Sequence, residues 1–201
     1  FTFFIIDDCS KIPINDLLAK EDLSELDIHL YRVTKDLYCN IAGVRNLGAT
    51  QCSTPWMVIL DMDTIINAHM SSQLIELSNK HINENKVFKF NRMVPSNKNH
   101  IKHNKSHPAV CLIRKEDYWN IGGCEEDLVG NYGWTDPSFW HRAKGKVSVK
   151  KCNDIKLLYI DEGSADICRN AAKNSKIFSM KKKNQNWSTD FVRFPWEKVY
   201  I

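Results

Sequence analysis

The sequence predicts an α/β protein with a mostly parallel central sheet flanked by helices. Residues 56–60, WMVIL, are apolar at every position, which is typical of a strand buried on both faces of a parallel sheet. Strand-like and helix-like segments alternate along the chain, as they do in helix-flanked sheets. The 201 residues are 43% hydrophobic, which is enough apolar material for one sizeable core. We therefore expect a single domain, built as two lobes.

Hydrophobic periodicity defines six elements in the first half of the chain. The predicted strands cover residues 1–7, 27–33 and 56–61, and the predicted helices cover residues 14–26, 40–52 and 70–83. The first strand ends in Asp7 and Asp8, followed by Ser10, and a later strand ends in Asp61. Because ligands of open α/β sheets bind beyond the carboxyl ends of the strands, these acidic ends are candidate binding positions.

A polar stretch, residues 95–108, interrupts this alternation and is expected to connect two lobes, residues 1–105 and 106–201. Its histidines are irregularly spaced in a Lys/Asn-rich context, so we expect them to be solvated rather than to bind metal: His100, His103 and His107. Beyond this stretch the predicted strands cover residues 109–114, 146–152 and 156–161, and the predicted helices cover residues 115–122 and 136–144.

Composition narrows the class of protein and its compartment. No segment approaches the ~20 apolar residues that a membrane-spanning helix needs. The seven cysteines are scattered singly without a CxxC pair, which argues against a zinc ribbon and against a disulfide framework. A reducing compartment is therefore favoured, and we predict a cytoplasmic protein. A lumenal domain of a Golgi-type enzyme, separated from its anchor, is the alternative.

The charge is unevenly distributed along the chain. Residues 1–140 carry 14 basic and 18 acidic side chains, whereas residues 141–201 carry 14 basic and 6 acidic ones. A basic tail can contact nucleic acid, an anionic membrane surface or a phosphate-bearing ligand. A solvated lysine run is the simpler interpretation. No nucleic-acid-reading motif accompanies the tail, so we expect no nucleic-acid partner.

The segment DMD places Asp61 and Asp63 one residue apart, directly after a predicted strand. Two carboxylates held side by side repel each other unless a cation lies between them, so the pair is a candidate metal site. A surface turn in which Asp63 caps a helix beginning near residue 64 explains the same letters. The spacing alone leaves both interpretations open.

Four segments occur in an order that resembles a known family. They are IIDDCS at residues 5–10, RNLGA at 45–49, ILDMD at 59–63 and GGCEEDLVGNYGWTDPSF at 122–139. Together they resemble nucleotide-sugar-dependent glycosyltransferases of the GT-A fold. The most similar types are family-2-like inverting enzymes and the related galactosyl- and N-acetylgalactosaminyltransferases. The matches run from about residue 3 to 145. The Asn/Lys-rich, compact sequence also resembles glycan-building enzymes of large DNA viruses of algae.

The resemblance implies one Rossmann-like GT-A domain that uses a divalent metal. A sugar would be transferred, with inversion, from a nucleoside-diphosphate sugar to a hydroxyl of a glycan or glycoprotein, and a UDP-sugar is the expected donor. DMD matches the DxD motif of the fold, so Asp63 would ligate Mn²⁺ or Mg²⁺. Asp61 would contact the ribose or a metal-bound water. Several relatives supply a histidine as third ligand after the last strand; the comparable YIDEGSAD lacks one, so Asp161 is the expected substitute.

The resemblance also implies a nucleoside site. Asp8 would accept a hydrogen bond from the base N3–H, and Asp7 or Ser10 would lie near the ribose. A helix cap explains the same acidic residues. Arg45 would pair with a phosphate or with one of these aspartates, and a purely structural ion pair is the alternative.

The expected general base is Asp136, which would take the proton of the attacking hydroxyl. TDPS is equally typical of a capped helix start, and both roles are compatible, because a carboxylate at a helix N-terminus stays ionised. Tyr132 and Trp134, between glycines, suit an aromatic platform for sugar faces, although burial of Trp134 in a core is an alternative. Glu126 and Asp127 complete the expected acceptor contacts.

The chain departs from the family pattern at its start, where the usual IPTYN-type strand and the helix after it are absent. We therefore expect a trimmed or shortened chain, to which further domains could be fused. Two other function classes remain open. A sugar-nucleotide nucleotidyltransferase would share the sheet and the metal aspartates, and an inactive glycan-binding module would keep the fold without the chemistry.

Overall fold

The structure is a computed structural model that describes residues 1–93, 105–160 and 168–201. Its strands are β1 (Thr2–Asp7), β2 (Asp27–Val33), β3 (Trp56–Ile59), β4 (Thr64–Ile65), β5 (Lys86–Met93), β6 (Ser106–Arg114), β7 (Ser148–Tyr159) and β8 (Trp196–Val199). Its helices are α1 (Ile14–Leu18), α2 (Ile41–Gln51), α3 (Ala68–Lys80), α4 (Lys115–Ile121), α5 (Thr135–Ala143) and α6 (Ala172–Asn184), with a 3₁₀ helix at Glu126–Leu128. The predicted α/β class is confirmed.

Packing of the backbone divides the chain into two units, each assembled from separate stretches. Unit 1 contains residues 1–53, 122–139 and 168–201, and unit 2 contains residues 54–121 and 140–167. The boundary that we predicted between lobes, after residue 105, lies within unit 2. Within the described ranges no helix is long and apolar enough to cross a membrane.

Unit 1 is built on a three-stranded sheet with the order β1-β2-β8. β1 and β2 run parallel, with Asp7 opposite Arg32, and β8 pairs antiparallel with β2. Helix α2 packs against β1 and buries Leu47, while β2 buries Leu30 and Val33. The acidic end of β1 therefore lies at a well-packed edge of unit 1.

Unit 2 is built on a five-stranded sheet with the order β3-β6-β5-β7-β4. Only the β5–β7 pair of this described sheet is parallel; the other three pairs are antiparallel. The expectation of a mostly parallel sheet is therefore wrong in its strand directions. One reason is that β5 and β6, which follow one another in the chain, pair directly and run antiparallel, whereas the parallel prediction assumed a helix between successive strands.

The strand that led to the parallel prediction, β3, lies at the edge of the described sheet. Its four residues are all half-buried, and Leu60 beyond it is 40% exposed. Burial on both faces was thus a wrong prediction for this segment. The centre of the sheet is β5, whose Phe88 and Phe90 lie at the middle of the buried core of unit 2. Trp56 contacts that core through the ring of Phe88, at a centroid distance of 6.1 Å.

The observed bounds of the other elements agree with the predicted bounds to different degrees. β2 has the predicted limits, and α2, α3, α4 and α5 lie within a few residues of theirs. Helix α1 stops at Leu18, well short of residue 26. The two predicted strands near the end form one strand, β7, because a bulge opposite Phe90 and Asn91 absorbs the polar interruption. Of the described elements, β4, β5, the 3₁₀ helix, α6 and β8 were not predicted.

Two glycines of α2 offer a matched test of packing in unit 1. A Cβ on Gly43 would lie 2.2 Å from Asn40 Oδ1 and 2.4 Å from Phe194 Cε1, whereas a Cβ on Gly48 would meet only Ile6, at an ordinary 3.7 Å. We expect Gly43→Ala to destabilise the protein by about 1–3 kcal/mol through overpacking. Gly48→Ala should stabilise it by about 0.5–1 kcal/mol, because alanine loses less backbone entropy in a helix. Urea unfolding measures both, and the reverse order would contradict this packing.

Candidate functional site

Three potential metal ligands converge in unit 2: Asp61, Asp63 and His107. One ligand atom of each lies within 4.8 Å of the others. His107 Nε2 is 4.0 Å from Asp61 Oδ2 and 3.9 Å from Asp63 Oδ1. The aspartates are half-buried and the histidine is buried. Carboxylate oxygens are the ligands that Mg²⁺ and Mn²⁺ prefer, so the donor set fits such an ion.

The backbone around the aspartates is fixed from both sides. Thr64 N donates to Asp61 O at 3.0 Å, and Ile160 N donates to Asp63 O at 2.7 Å, which joins the segment to the end of β7. The alternative in which Asp63 caps a helix is wrong, because residue 64 begins the short strand β4. Helix α3 begins four residues later and is capped by Asn67, whose side chain accepts from Met70 N.

His107 is the functional residue that the sequence analysis misjudged. We expected it to be solvated, but it is 3% exposed and belongs to β6. It lies two residues before an apolar run, residues 109–113, in which every residue is buried. The strand was predicted to begin at residue 109, and an earlier start would have included His107. His100 and His103 lie outside the described residues, as does Asp161, the expected third ligand.

The ring orientation of His107 limits its role toward a metal. Its Nδ1 accepts hydrogen bonds from Ala109 N at 3.1 Å and Val110 N at 3.2 Å. A neutral imidazole with Nδ1 as acceptor carries its proton on Nε2, the nitrogen that faces the aspartates. In this orientation His107 can donate to the carboxylates or to a ligand of the metal. Direct ligation through Nε2 would require the two backbone N–H groups to lose their acceptor.

At the end of β1, Asp7 has a structural environment. It is 3% exposed, accepts from Ser10 N at 2.8 Å and Ile14 N at 3.3 Å, and pairs with Arg32. Arg32 also donates to Ser10 O at 2.8 Å. Since Ile14 is the first residue of α1, the capping interpretation describes Asp7 well. Arg32, from the neighbouring strand, was not singled out by the sequence.

Asp8 and Asn40 present buried polar atoms that the described residues do not satisfy. Asp8 Oδ2 accepts from Asn40 N at 3.1 Å, but no described group bonds to Asp8 Oδ1 or to either polar atom of the Asn40 side chain. Burial raises the pKa of Asp8 above its ordinary value, and hydrogen bonding from Asn40 opposes this. Unsatisfied buried polar atoms are costly, so the pair is suited to receive a ligand's donors and acceptors.

Asp136 lies in the first turn of α5, where its Oδ1 accepts from Arg45 NH1 at 2.6 Å. The helix already begins at Thr135, so Asp136 is inside the first turn and is not its cap. Arg45 therefore pairs with neither Asp7 nor Asp8 but joins α2 to the candidate base. Its side chain is 12% exposed and that of Asp136 is 27% exposed, so a partner could still reach the carboxylate.

The two aromatic residues near Asp136, Tyr132 and Trp134, lie in different environments. Tyr132 is half-buried with the Arg169 guanidinium 6.0 Å from its ring centre. Trp134 has a left-handed backbone, φ 67°, and stacks on Phe178 of α6 at 4.9 Å. Packing thus accounts for Trp134, while Tyr132 lines an open cavity.

Asn174 of α6 holds the segment that carries these aromatic residues. Its side chain is fully buried, and its Nδ2 lies 2.9 Å from each of three backbone oxygens, those of Leu128, Asn131 and Gly133. One amide group therefore stabilises the turn that leads into α5. This role was not predictable from the sequence, because an asparagine in a lysine-rich segment has no distinctive pattern.

The two acidic residues expected to contact an acceptor, Glu126 and Asp127, are engaged with the protein itself. Glu126 is 5% exposed and accepts from Asn46 Nδ2 at 2.8 Å and Val192 N at 2.7 Å. Asp127 pairs with Lys181 at 2.6 Å and with Arg193 at 2.7 Å. Burial raises the pKa of Asp127, but the hydrogen bonds from both cations outweigh it and hold the pKa below its usual range.

Comparison with solved structures places the fold among GT-A glycosyltransferases. The chain is similar to TarS of S. aureus, with a TM-score of 0.68 and 12% identity over 94% of this chain and 35% of that one. GalNAc-T7, solved with UDP, GalNAc and Mn²⁺, matches with a TM-score of 0.60 and 12% identity over 79% of this chain and 37% of that one.

A third similar structure is the mannosyltransferase PcManGT from Pyrobaculum calidifontis in complex with GDP-Man and Mn²⁺. Its TM-score is 0.56 at 12% identity, over 94% of this chain and 56% of that one. The chain thus spans between about a third and just over half of these three proteins. No family model matches the sequence, and no curated protein matches it. The GT-A fold is therefore established by structure.

The geometry of the candidate metal site predicts which of its residues matters most for metal-dependent binding. Asp63→Ala should abolish metal-dependent binding of UDP, because a carboxylate ligand is lost. His107→Ala should weaken it by about 10–100-fold, the usual effect of a residue that orients ligands rather than binding the metal. Isothermal calorimetry with UDP and Mn²⁺ measures both affinities.

The exposed Asp154 of β7 provides the matched control, since Asp154→Ala removes a carboxylate from the same unit away from the cluster. Unchanged affinity in Asp63→Ala would refute the metal site. A larger loss in His107→Ala than in Asp63→Ala would contradict the assigned ranking.

Proposed function

We propose that the protein is a metal-dependent glycosyltransferase that moves a sugar from a nucleoside-diphosphate sugar to a hydroxyl of a glycan or glycoprotein. The observation that carries the proposal is the cluster of Asp61, Asp63 and His107 directly after a strand of a GT-A fold. Two similar structures hold Mn²⁺ with a nucleotide or nucleotide sugar, which supports the proposal.

The nucleoside is assigned to the end of β1. Asp8 Oδ1 is a buried acceptor without a described donor, and the Asn40 amide beside it offers both a donor and an acceptor. This combination is complementary to the N3–H and carbonyl oxygen of uracil, and equally to the N1–H and O6 of guanine. Asp7, held by Arg32 and by backbone N–H groups, supports this end of the strand and is not assigned a direct contact.

The diphosphate is assigned to Asp61 and Asp63 with Mn²⁺ or Mg²⁺. A bound divalent ion would neutralise the charge that develops on the leaving diphosphate. Asp63, whose backbone is tied to Ile160, would hold the ion with its carboxylate, and Asp61 would act from the same turn. His107, with its proton on Nε2, would donate to these carboxylates and keep them oriented.

Asp136 is proposed as the general base. The ion pair with Arg45 fixes the orientation of its carboxylate. An ionised carboxylate within reach of the acceptor hydroxyl removes its proton as the oxygen attacks the anomeric carbon. Single displacement of this kind inverts the configuration at that carbon. We leave the acceptor contact to Tyr132, because Glu126 and Asp127 already bind protein groups and Trp134 packs on Phe178.

We expect Asp136→Asn to lower kcat by roughly 10²–10⁴, the usual contribution of a general base. The amide keeps an oxygen for Arg45 but cannot take a proton, so donor affinity should change little. Transfer is measured by release of nucleoside diphosphate, with Asp154→Asn as the control, and NMR of the product anomeric proton reads the stereochemistry.

A variant that transfers at the full rate would remove Asp136 from this role, and retention of configuration would exclude single displacement. Release of pyrophosphate in place of nucleoside diphosphate would instead identify a nucleotidyltransferase. A protein that binds glycan and releases neither product would be the inactive module.

The nucleotide preference is tested separately. We propose uridine, since the segment IIDDCS at residues 5–10 resembles the corresponding segment of UDP-sugar users. UDP with Mn²⁺ should raise the midpoint of thermal unfolding more than GDP with Mn²⁺ at equal concentration, because ligand binding to the folded state stabilises it in proportion to ln(1 + [L]/Kd). A larger shift with GDP would overturn the choice of uridine. Asn40→Ala should erase the difference between the two nucleotides.

A further inference from the structure

A cavity of about 250 Å³ lies in unit 1 beside Tyr132, to which the acceptor contact was assigned. Its lining residues are Tyr38, Asn131, Tyr132, Cys168, Asn170 and Lys173. The volume is just below the ~300–1,000 Å³ of sites for drug-sized ligands, so it suits one sugar ring better than an oligosaccharide. Two phenol rings, two amides and an ammonium group are suited to the apolar faces and hydroxyls of a carbohydrate.

The walls of the cavity are joined to one another by backbone contacts. Gly130 N donates to Cys39 O at 2.8 Å, and the Tyr38 hydroxyl accepts from Cys168 N at 3.3 Å. Asn174 fixes the wall that contains Asn131 and Tyr132. A site whose walls are held in this way loses little entropy when a ligand binds.

Tyr38 has two unusual properties at the rim. It is 59% exposed, and its backbone is left-handed, with φ 65°. A left-handed conformation costs a bulky residue energy, and such strain concentrates at ligand-binding positions. The hydrogen bond from Tyr38 N to Asp36 Oδ1, 2.7 Å, helps to hold this conformation. The strained backbone displays an aromatic ring to solvent.

Among the described lining residues the charge is positive. Lys173 lines it, and Arg169 lies over the ring of Tyr132. None of the six lining residues is acidic. Among residues 1–93, 105–160 and 168–201, no carboxylate forms an ion pair with Lys173 or Arg169. The cavity therefore favours a ligand that carries a negative charge.

The cavity is also close to the candidate base in sequence. Tyr132 precedes Asp136 by four residues, and Gly133 and Trp134 between them have backbones with positive φ, 84° and 67°. A ligand in the cavity would thus contact the same short segment that places the carboxylate.

We propose that this cavity binds the acceptor, and that the acceptor is a pyranose bearing a carboxylate or a phosphate. The assignment of the bound sugar as the acceptor rests on the proposed transferase function, whereas the presence of a sugar-binding site does not. Tyr38 and Tyr132 contact the ring, Asn131 and Asn170 bind its hydroxyls, and Lys173 binds the anionic group.

Saturation-transfer NMR tests the site with three probes: methyl β-glucopyranoside, the corresponding methyl glucuronide and glucose 6-phosphate. At least one anionic probe should bind more tightly than the neutral one, and comparison of the two identifies whether carboxylate or phosphate is preferred. Tyr38→Ala should weaken binding of every probe by about tenfold, the upper end of an aromatic contact. Tyr200→Ala, which removes a ring that is 85% exposed in the same unit, should bind as the wild type.

Lys173→Gln should remove the preference for the anionic probe and leave the neutral probe unaffected. Lys176→Gln is the matched control, because Lys176 is exposed one turn further along α6 and does not line the cavity. Circular dichroism establishes that each variant is folded. Absence of saturable binding to the wild type, wild-type binding in Tyr38→Ala, or an anion preference that survives in Lys173→Gln would overturn the proposal.

The NMR experiment uses no nucleotide and no metal, so its result is independent of the transfer reaction. Sugar binding by a protein that releases no nucleoside diphosphate would support the site and refute the transferase proposal. Release of nucleoside diphosphate by a protein that binds none of the probes would refute the site and leave that proposal intact.

Discussion

Unit 1 depends on two carboxylates, those of Glu125 and Glu126, that are buried and must be satisfied. The unit is assembled from residues 1–53, 122–139 and 168–201, and the two acids, 0% and 5% exposed, lie at the start of the middle stretch. An ionised carboxylate without partners is too costly to bury. Folding of this unit therefore requires the other two stretches to supply donors at these positions.

The donors come from both sides and explain elements that the sequence did not predict. Glu126 accepts from Asn46 of α2, while Glu125 accepts from Ser188 N at 3.0 Å and lies 3.4 Å from Lys181 Nζ. Helix α6 is consequently held by two buried polar residues seven positions apart, Asn174 and Lys181, together with the stacking of Phe178 on Trp134. Periodicity of hydrophobic residues cannot detect such a helix, so its lysines read as a solvated run.

Sequence reasoning succeeded for elements and motifs that are defined by their own residues. It failed where the burial of a residue depends on a neighbouring strand. β2 and α2 have alternating and helical patterns of their own, and Asp61 and Asp63 form a motif, so these were predicted. His107 was not, because its burial follows from the pairing of β6 with β3 and β5, and its neighbours Lys105 and Ser106 are polar. For β3 the sequence predicted too much burial, because its apolar residues lie in an edge strand and are only half-buried.

Adjacent residues of α2 connect the buried network to the candidate base. Asn46 binds Glu126, and Arg45 binds Asp136, so one rigid helix is bonded to both ends of the segment between those acids. Between its fixed ends the segment contains Gly130 and Gly133, both with positive φ, where side chains would be strained. Asn174 of α6 bonds the backbone between these fixed ends, so the whole segment that leads to the candidate base is held by side chains of two helices.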